Sequence, residues 1–167
     1  GSPDPALSVR VTGGSLAPGD NLAEVTGVLH REPGEAVGFY DILLGTGPKA
    51  TNYDISFVSD NDAFRISAAL LILTAHNQRK TYGESIRFTG SEFSVSGLVG
   101  NDRVDFVQLR SAGAAANAGV KGSPYAIVPS QAVGSGLDNY EIVYRNGQLR
   151  GDPAPLVVRA QDAFRPL

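Results

Sequence analysis

The chain has 167 residues, a formal net charge of -3 and no cysteine, methionine or tryptophan. The absence of cysteine excludes disulfide frameworks, thiolate metal sites and cysteine nucleophiles. The small net charge does not indicate a nucleic-acid partner, and no apolar run reaches the roughly 18 residues that a membrane span requires. With 20 glycines and 10 prolines, the composition favours short strands joined by tight turns over long helices.

The first half of the chain predicts a series of short strands. A strand that begins at Val11 runs into a Gly/Asp turn ending at Asp20, and tyrosine-bearing strands are predicted at 38–42 and 52–57. After a polar loop, the apolar segment 69–75 is interpreted as the closing strand of this half.

The second half repeats the same order of elements. A strand and turn are predicted at 95–102, and tyrosine-bearing strands at 123–127 and 139–144. Between them, the small residues of 111–119 predict a loop or a single turn, because the segment contains glycines and lacks large apolar side chains.

Apolar and polar residues alternate within the last of these strands. The period of two places Tyr140, Ile142 and Tyr144 on one face. The Asn146-Gly147 pair that follows predicts a type I′ hairpin turn, in which both central residues need a positive φ. The apolar segment 154–160 is then interpreted as the closing strand of the second half.

The matching segments define an internal repeat. Segments 38–42 and 123–127 lie 85 residues apart, 52–57 and 139–144 lie 87 apart, and 69–75 and 154–160 lie 85 apart. A fixed period of this kind indicates tandem modules rather than one domain.

The repeat predicts the domain organisation and the fold class. A first repeat is expected at 1–75, with its start incomplete, a second at 76–160, and the start of a following segment at 161–167. We predict an all-β chain with little helix, made of two tandem small antiparallel modules. Each module is an Ig-like sandwich or a β-grasp-like unit, because period-two alternation does not distinguish these topologies.

The landmarks of both halves resemble a known family. In the second half they are Lys80-Thr81-Tyr82-Gly83, Gly97-Leu98, Asn101-Asp102, Ser111-Ala112-Gly113, Pro124-Tyr125-Ala126-Ile127, Asn139-Tyr140, Asn146-Gly147 and Pro153-Ala154-Pro155-Leu156. In the first half they are Asp4-Pro5-Ala6-Leu7, Gly13-Gly14-Ser15-Leu16, Gly19-Asp20 and the segment 31–40. This set is similar to the MBG domain of the YGX type. The Tyr-Gly pair that opens the family module is missing before Asp4.

The resemblance implies a structural role and no catalytic residues. Modules of this family occur in tandem in large bacterial surface and secreted proteins, including filamentous-haemagglutinin-like adhesins. We therefore expect a non-catalytic spacer or stalk in a secreted adhesin. The adhesin is expected at the bacterial cell surface, associated with the outer membrane. The expected partners of the spacer are neighbouring repeats of the same chain. The alternative is a module that itself binds a glycan or a host or matrix protein. A third interpretation, a small hydrolase domain, rests only on two unmatched histidines.

Of those histidines, His30 precedes a charged turn and His76 stands at the predicted junction. Both are interpreted as surface or junction residues. Asp20 and Asp102 stand where a strand runs into a turn, and their side chains are expected to accept hydrogen bonds from the backbone of that turn. No isopeptide bond is expected at the three lysines, which stand among polar neighbours: Lys49, Lys80 and Lys121.

The best candidate metal site is the loop of Asp60, Asn61 and Asp62, since closely spaced carboxylate and amide oxygens suit calcium. The loop lacks the downstream bidentate Glu of an EF-hand, so a polar hairpin turn without metal is the favoured interpretation. No other cofactor is expected.

Aromatic residues divide into those that recur and those that do not. The recurring tyrosines are interpreted as core or corner residues that bury the ring and pair the hydroxyl at its edge: Tyr40, Tyr53, Tyr125 and Tyr140. A glycan-binding platform needs exposed aromatic side chains that do not recur, and Phe88 and Phe93 are the candidates.

Overall fold

A computed structural model describes residues 2–59 and 63–165. As predicted, the chain is an all-β protein with little helix. It divides into two compact units, Gly1–Ala69 and Leu70–Leu167. The described helix and strands are α1 (Leu22–Thr26), β1 (His30–Arg31), β2 (Gly38–Tyr40), β3 (Ile42–Leu43), β4 (Phe64–Ile66), β5 (Ala69–Ala75), β6 (Gln78–Thr81), β7 (Phe93–Ser96), β8 (Arg103–Arg110), β9 (Tyr125–Ser135), β10 (Tyr140–Arg145) and β11 (Gly147–Asp152). Short 3₁₀ turns lie at Ala50–Asn52, Ala112–Ala114, Val120–Gly122 and Leu137–Asn139.

The second unit contains two sheets. In one sheet β5 lies between β10 and β7, and in the other the strand order is β6-β11-β9-β8. β5 runs antiparallel to β7, and β9 runs antiparallel to both β8 and β11. β6 and β11 are parallel, which departs from the purely antiparallel pairing that the sequence predicted. The reason is that β5 and β6 lie in different sheets, so the short segment between them does not form a hairpin and β6 pairs with a distant strand.

Alternating side chains of the two sheets form the core of this unit. β5 buries Leu71, Leu73 and Ala75, every second residue. The four-stranded sheet buries its own alternate residues, which are Val107, Leu109, Ile127 and Leu149. Two sheets that each bury one face form a sandwich, and no α-helix covers either sheet within the described residues 70–165. Burying each large aliphatic side chain contributes about 1.5–3 kcal/mol.

The prediction of a hairpin at Asn146-Gly147 is wrong, because the strands on either side do not pair with each other. β10 and β11 flank Asn146 but lie in different sheets, so the chain crosses between sheets at this point. Neither residue has the positive φ of a type I′ turn. Glycine is required at 147 for space, because a Cβ there would lie 2.5 Å from the carbonyl oxygen of Ala75.

The first unit is built on two short antiparallel pairs, β1 with β3 and β2 with β4. Its one described α-helix, α1, starts at a capping box: the Asn21 side chain accepts from the Glu24 N–H at 3.0 Å, and the Glu24 side chain accepts from the Asn21 N–H at 3.3 Å. The helix ends at Gly27, whose φ of 67° does not continue a helix. Among the described residues of this unit, the buried hydrophobic ones are Val25 and Phe64.

The structure divides the chain at a different place from the predicted junction. The sequence placed the boundary after Ala75, whereas the structure divides the chain between Ala69 and Leu70. The physical reason is that β5 pairs with β7 and β10, which both follow it in the chain. The apolar segment 69–75 is therefore the opening strand of the second unit and not the closing strand of the first.

The equivalent segment at the other end of the chain is not a strand. Residues 153–165 form no helix or strand, so the closing strand predicted at 154–160 is not formed. The Leu156, Val157 and Val158 side chains are 85%, 84% and 81% exposed.

Candidate functional site: two tyrosine corners

In the first unit a tyrosine from one segment holds a turn of another. Asp20 closes the turn by donating its backbone N–H to the Ala17 carbonyl oxygen at 3.0 Å. The Tyr53 hydroxyl donates to Asp20 Oδ2 at 2.6 Å and accepts from the Ala17 N–H at 3.0 Å. We call Ala17, Asp20 and Tyr53 the first corner.

The second unit repeats this arrangement, and we call Val99, Asp102 and Tyr140 the second corner. The Asp102 N–H donates to the Val99 carbonyl oxygen at 3.2 Å. The Tyr140 hydroxyl donates to Asp102 Oδ2 at 2.8 Å and accepts from the Val99 N–H at 2.9 Å. The two corners confirm that Tyr53 and Tyr140 are corner residues. The expectation for the two aspartates is corrected, because each carboxylate accepts from a distant tyrosine.

The first corner also contains a cation. Lys49 Nζ lies 2.5 Å from Asp20 Oδ1 and 3.1 Å from Glu24 Oε2. Hydrogen bonds from Lys49 and then Tyr53 lower the pKa of the Asp20 carboxyl below its ordinary value. The bond to Asp20 in turn raises the pKa of Lys49 and that of Tyr53. In the second corner, burial raises the pKa of the Tyr140 hydroxyl and the bond to Asp102 adds to the rise.

The other recurring pair of tyrosines also has a shared role. The Tyr40 hydroxyl donates to the Ala36 carbonyl oxygen, and the Tyr125 hydroxyl donates to the Gly119 carbonyl oxygen, both at 2.7 Å. Each ring is half-buried and each hydroxyl is bonded to the backbone. This confirms the interpretation of Tyr40 and Tyr125 as corner residues.

The first unit also contains an arginine cluster that the sequence did not predict. The Arg31 guanidinium lies over the rings of Tyr40 and Phe64, 5.2 Å and 5.1 Å from their centroids. It also forms ion pairs with Asp4 at 2.8 Å and Glu35 at 2.6 Å. Asp4 and Glu35 line a cleft of about 540 Å³ beside it. The only signal in the sequence is the Glu four residues after Arg31, which is too common to single out.

The Tyr82-Gly83 pair lies at the tip of a turn. The Glu84 N–H donates to the Thr81 carbonyl oxygen at 3.1 Å, and Gly83 has a φ of 96°, a conformation that favours glycine. Glu84 Oε2 accepts from the Thr81 N–H at 2.8 Å. Lys80, only 5% exposed, donates from Nζ to the carbonyl oxygens of Glu84 and Ala115. Lys80 is thus a buried residue that fastens this turn.

The remaining predicted site residues are not brought together. His30 and His76 are exposed and lie in different units. Asp60, Asn61 and Asp62 lie outside the described residues. Within residues 2–59 and 63–165, no group of three or more His, Cys, Asp or Glu side chains is placed to hold a metal ion.

The two aromatic candidates for ligand binding are both half-buried. Phe93 lies in β7 opposite Ala75, and Phe88 precedes that strand. The exposed aromatic side chains of the described chain are Phe39, Phe57, Tyr82, Phe106, Tyr144 and Phe164. Phe39 stands next to Arg65, whose guanidinium lies 5.6 Å from the ring centroid.

Comparison with known proteins agrees with the duplicated corners. The family described as MBG domain (YGX type) matches residues 1–61 and again residues 71–150. No curated protein and no solved structure matches the chain. No helix among the described residues has the length and apolar character to cross a membrane. Because the two matches cover most of the sequence and coincide with the two corners, the chain belongs to the MBG domain (YGX type) family and consists of two tandem repeats of it.

Proposed function

We propose that the two repeats are non-catalytic structural modules that form a spacer or stalk in a secreted or cell-surface bacterial adhesin, associated with the outer membrane. The family, which is not known as an enzyme family, supplies repeat modules of large bacterial surface proteins. The observation that carries the proposal is the duplicated corner. Its tyrosine and aspartate lie 33 residues apart in the first unit and 38 in the second, yet make the same two hydrogen bonds.

The chemistry of the corners supports a structural role. A tyrosine hydroxyl that donates to a carboxylate and accepts from a backbone N–H has both hydrogen-bonding functions occupied. The carboxylate of Asp20 is further bonded to Lys49, which favours its charged form. These groups hold a turn against a distant segment, which suits a module that keeps its shape while joined to similar modules. The partners in this role are neighbouring repeats of the same chain.

The alternative function is binding of a glycan or of a host or matrix protein by the repeats themselves. One observation favours it: Phe39 is 56% exposed and is flanked by the Arg65 guanidinium, which stacks near its ring. Aromatic and arginine side chains are both enriched in the surfaces through which proteins bind partners.

A binding assay distinguishes the two functions. The immobilised chain is exposed to a panel of glycans and purified matrix proteins, and the spacer role predicts no saturable binding. Saturable binding that Phe39→Ser removes, and that Phe164→Ser leaves intact, would overturn the proposal in favour of ligand binding. Phe164 is a suitable control because it is also exposed but lies outside the sheets.

A further inference from the structure

The outer face of the four-stranded sheet in the second unit carries more positive than negative charge. Arg150 on β11 and Arg79 on β6 lie directly opposite each other, and both are exposed. They share one carboxylate, that of Asp152, at 3.3 Å and 3.0 Å. Arg110 on β8 is also exposed and forms no ion pair with a described residue. Like charges on neighbouring strands repel each other, so this face favours an anionic partner.

Alternation of burial along the strands places these arginines on the solvent side. Arg110 lies opposite the exposed Val128, and the residues next to this pair, Leu109 and Ile127, are buried. Arg150 likewise follows the buried Leu149. The sandwich core therefore lies on the other side of the sheet, and the guanidinium groups are open to a partner.

The other charged residues of these strands do not balance the arginines. Arg103 and Asp105, at the start of β8, pair with each other at 2.8 Å. Lys80 is buried. What remains is three exposed arginines against one aspartate, a net charge of +2. We call Arg79, Arg110 and Arg150 the basic face.

The first unit presents the opposite charge at the end of its β1–β3 ladder. Glu32 and Asp41 lie opposite each other, since the Glu32 N–H donates to the Asp41 carbonyl oxygen at 2.9 Å. Both residues are exposed, and neither forms an ion pair with any residue that the structure describes. Glu35 pairs with Arg31, but its side chain is 83% exposed. We call Glu32, Glu35 and Asp41 the acidic edge.

Charge complementarity identifies the partner of the basic face. Residues 1–69 contain nine Asp and Glu against four Lys and Arg, a net charge of -5, and residues 70–167 contain eight against ten, a net charge of +2. We propose that the basic face of one copy of this chain binds the acidic edge of a second copy. Unbalanced charges of each surface are then neutralised by those of the other. The spacer role does not depend on this contact.

The kind of contact determines how association behaves. The two surfaces differ, so the contact is heterologous and generates open chains or rings of copies. Each exposed ion pair contributes little and is screened by salt, with a Debye length of about 10 Å at 0.1 M. Association is therefore weak, rises with protein concentration and decreases as salt is added.

Sedimentation of the whole chain in the analytical ultracentrifuge tests the contact. In about 20 mM salt the average mass should rise with protein concentration, and about 500 mM salt should raise the dissociation constant about tenfold or more. Arg110→Glu with Arg150→Glu makes the basic face acidic, and Glu32→Arg with Asp41→Arg makes the acidic edge basic. Each of these double variants should remain monomeric. A chain with all four substitutions has the net charge of the unaltered chain and should associate again.

Matched controls separate this contact from a general effect of charge. Arg145→Glu makes the same change at an exposed residue of the other sheet, and Asp54→Arg does so at an exposed residue of the first unit. Both should leave association nearly unchanged. Arg110→Glu alone breaks no ion pair with a described residue, so it should weaken association while the unfolding midpoint stays the same.

Four results would overturn the proposal. The first is a chain that stays monomeric in low salt at every concentration. The second is an equal loss of association in Arg145→Glu and Arg110→Glu, and the third is a folded chain with all four substitutions that does not associate. The fourth is a monomeric chain that binds dextran sulfate and loses this binding in Arg110→Glu, because the basic face would then serve an acidic polymer.

Discussion

Replacement of Leu73 by alanine tests the assignment of β5 to the second unit. The side chain is 0% exposed, so Leu73→Ala removes fully buried groups. At about 0.8 kcal/mol per CH₂ the transfer loss is about 2.4 kcal/mol, and the cavity left behind brings the expected cost to about 2–5 kcal/mol. For a unit of this size, a loss of about 3 kcal/mol lowers the unfolding midpoint by about 12–24 °C.

The assay is calorimetry of the whole chain together with hydrogen exchange read by mass spectrometry. Peptides from 70–152 should lose protection in Leu73→Ala, and peptides from 2–59 should keep theirs. Leu70→Ala is the matched control, because Leu70 lies on the same strand but is 53% exposed, and its cost should stay below about 1 kcal/mol. Equal costs for the two variants, or loss of protection confined to the first unit, would refute the assignment.

Three further predictions concern charge and metal. Because the pKa of folded Asp20 is lowered, its contribution to stability is present above the ordinary carboxyl pKa of about 4 and is lost as the pH falls through the folded value. Asp20→Asn should therefore lower the urea midpoint of the first unit at pH 7 and lower it much less at pH 3. The control Asp54→Asn, at an exposed residue, should have little effect on the midpoint at either pH. The Glu92 carboxylate is partly buried, which raises its pKa, but hydrogen bonds from Thr89 and Gly90 outweigh burial and lower it. Glu92→Gln should cost about 1–3 kcal/mol at neutral pH and less in acid, with the exposed Glu141→Gln as control in the same urea titration. Thermal unfolding in calcium and then in chelator should give one midpoint, and a calcium-dependent rise abolished by Asp60→Asn would instead reveal a metal site.

The sequence was sufficient to predict an all-β chain, tandem repeats and corner tyrosines. The strands that it predicted from Val11, at 52–57 and at 154–160 are not formed. Strand type follows from local alternation, and recurrence of Tyr53 and Tyr140 identifies residues with the same structural role in both repeats. The partners of these tyrosines were not predictable, since Asp20 and Asp102 lie 33 and 38 residues away along the chain. In the sequence, an aspartate in a turn is explained by hydrogen bonds to the backbone of that turn. Only the fold shows that a distant tyrosine hydroxyl donates to it.

The boundary between the repeats could not be predicted from the sequence, and the reason is related. A spacing of 85 residues between segments 69–75 and 154–160 is the same whether the strand opens or closes a module. Pairing of β5 with β7 and β10 decides between these alternatives, and pairing is long-range information. The Asn146-Gly147 pair shows the same limit, because a turn signal predicts a hairpin only when the flanking strands pair with each other.

Single-molecule force spectroscopy of the whole chain, held at its two ends, tests whether the two repeats fold separately. At about 3.6 Å per residue, the first unit should release about 250 Å of chain, and residues 70–152 of the second should release about 300 Å in a separate event. The first event should occur at the lower force, because the first unit buries fewer hydrophobic residues. A single cooperative event of about 550 Å would contradict the account of two separately folded repeats.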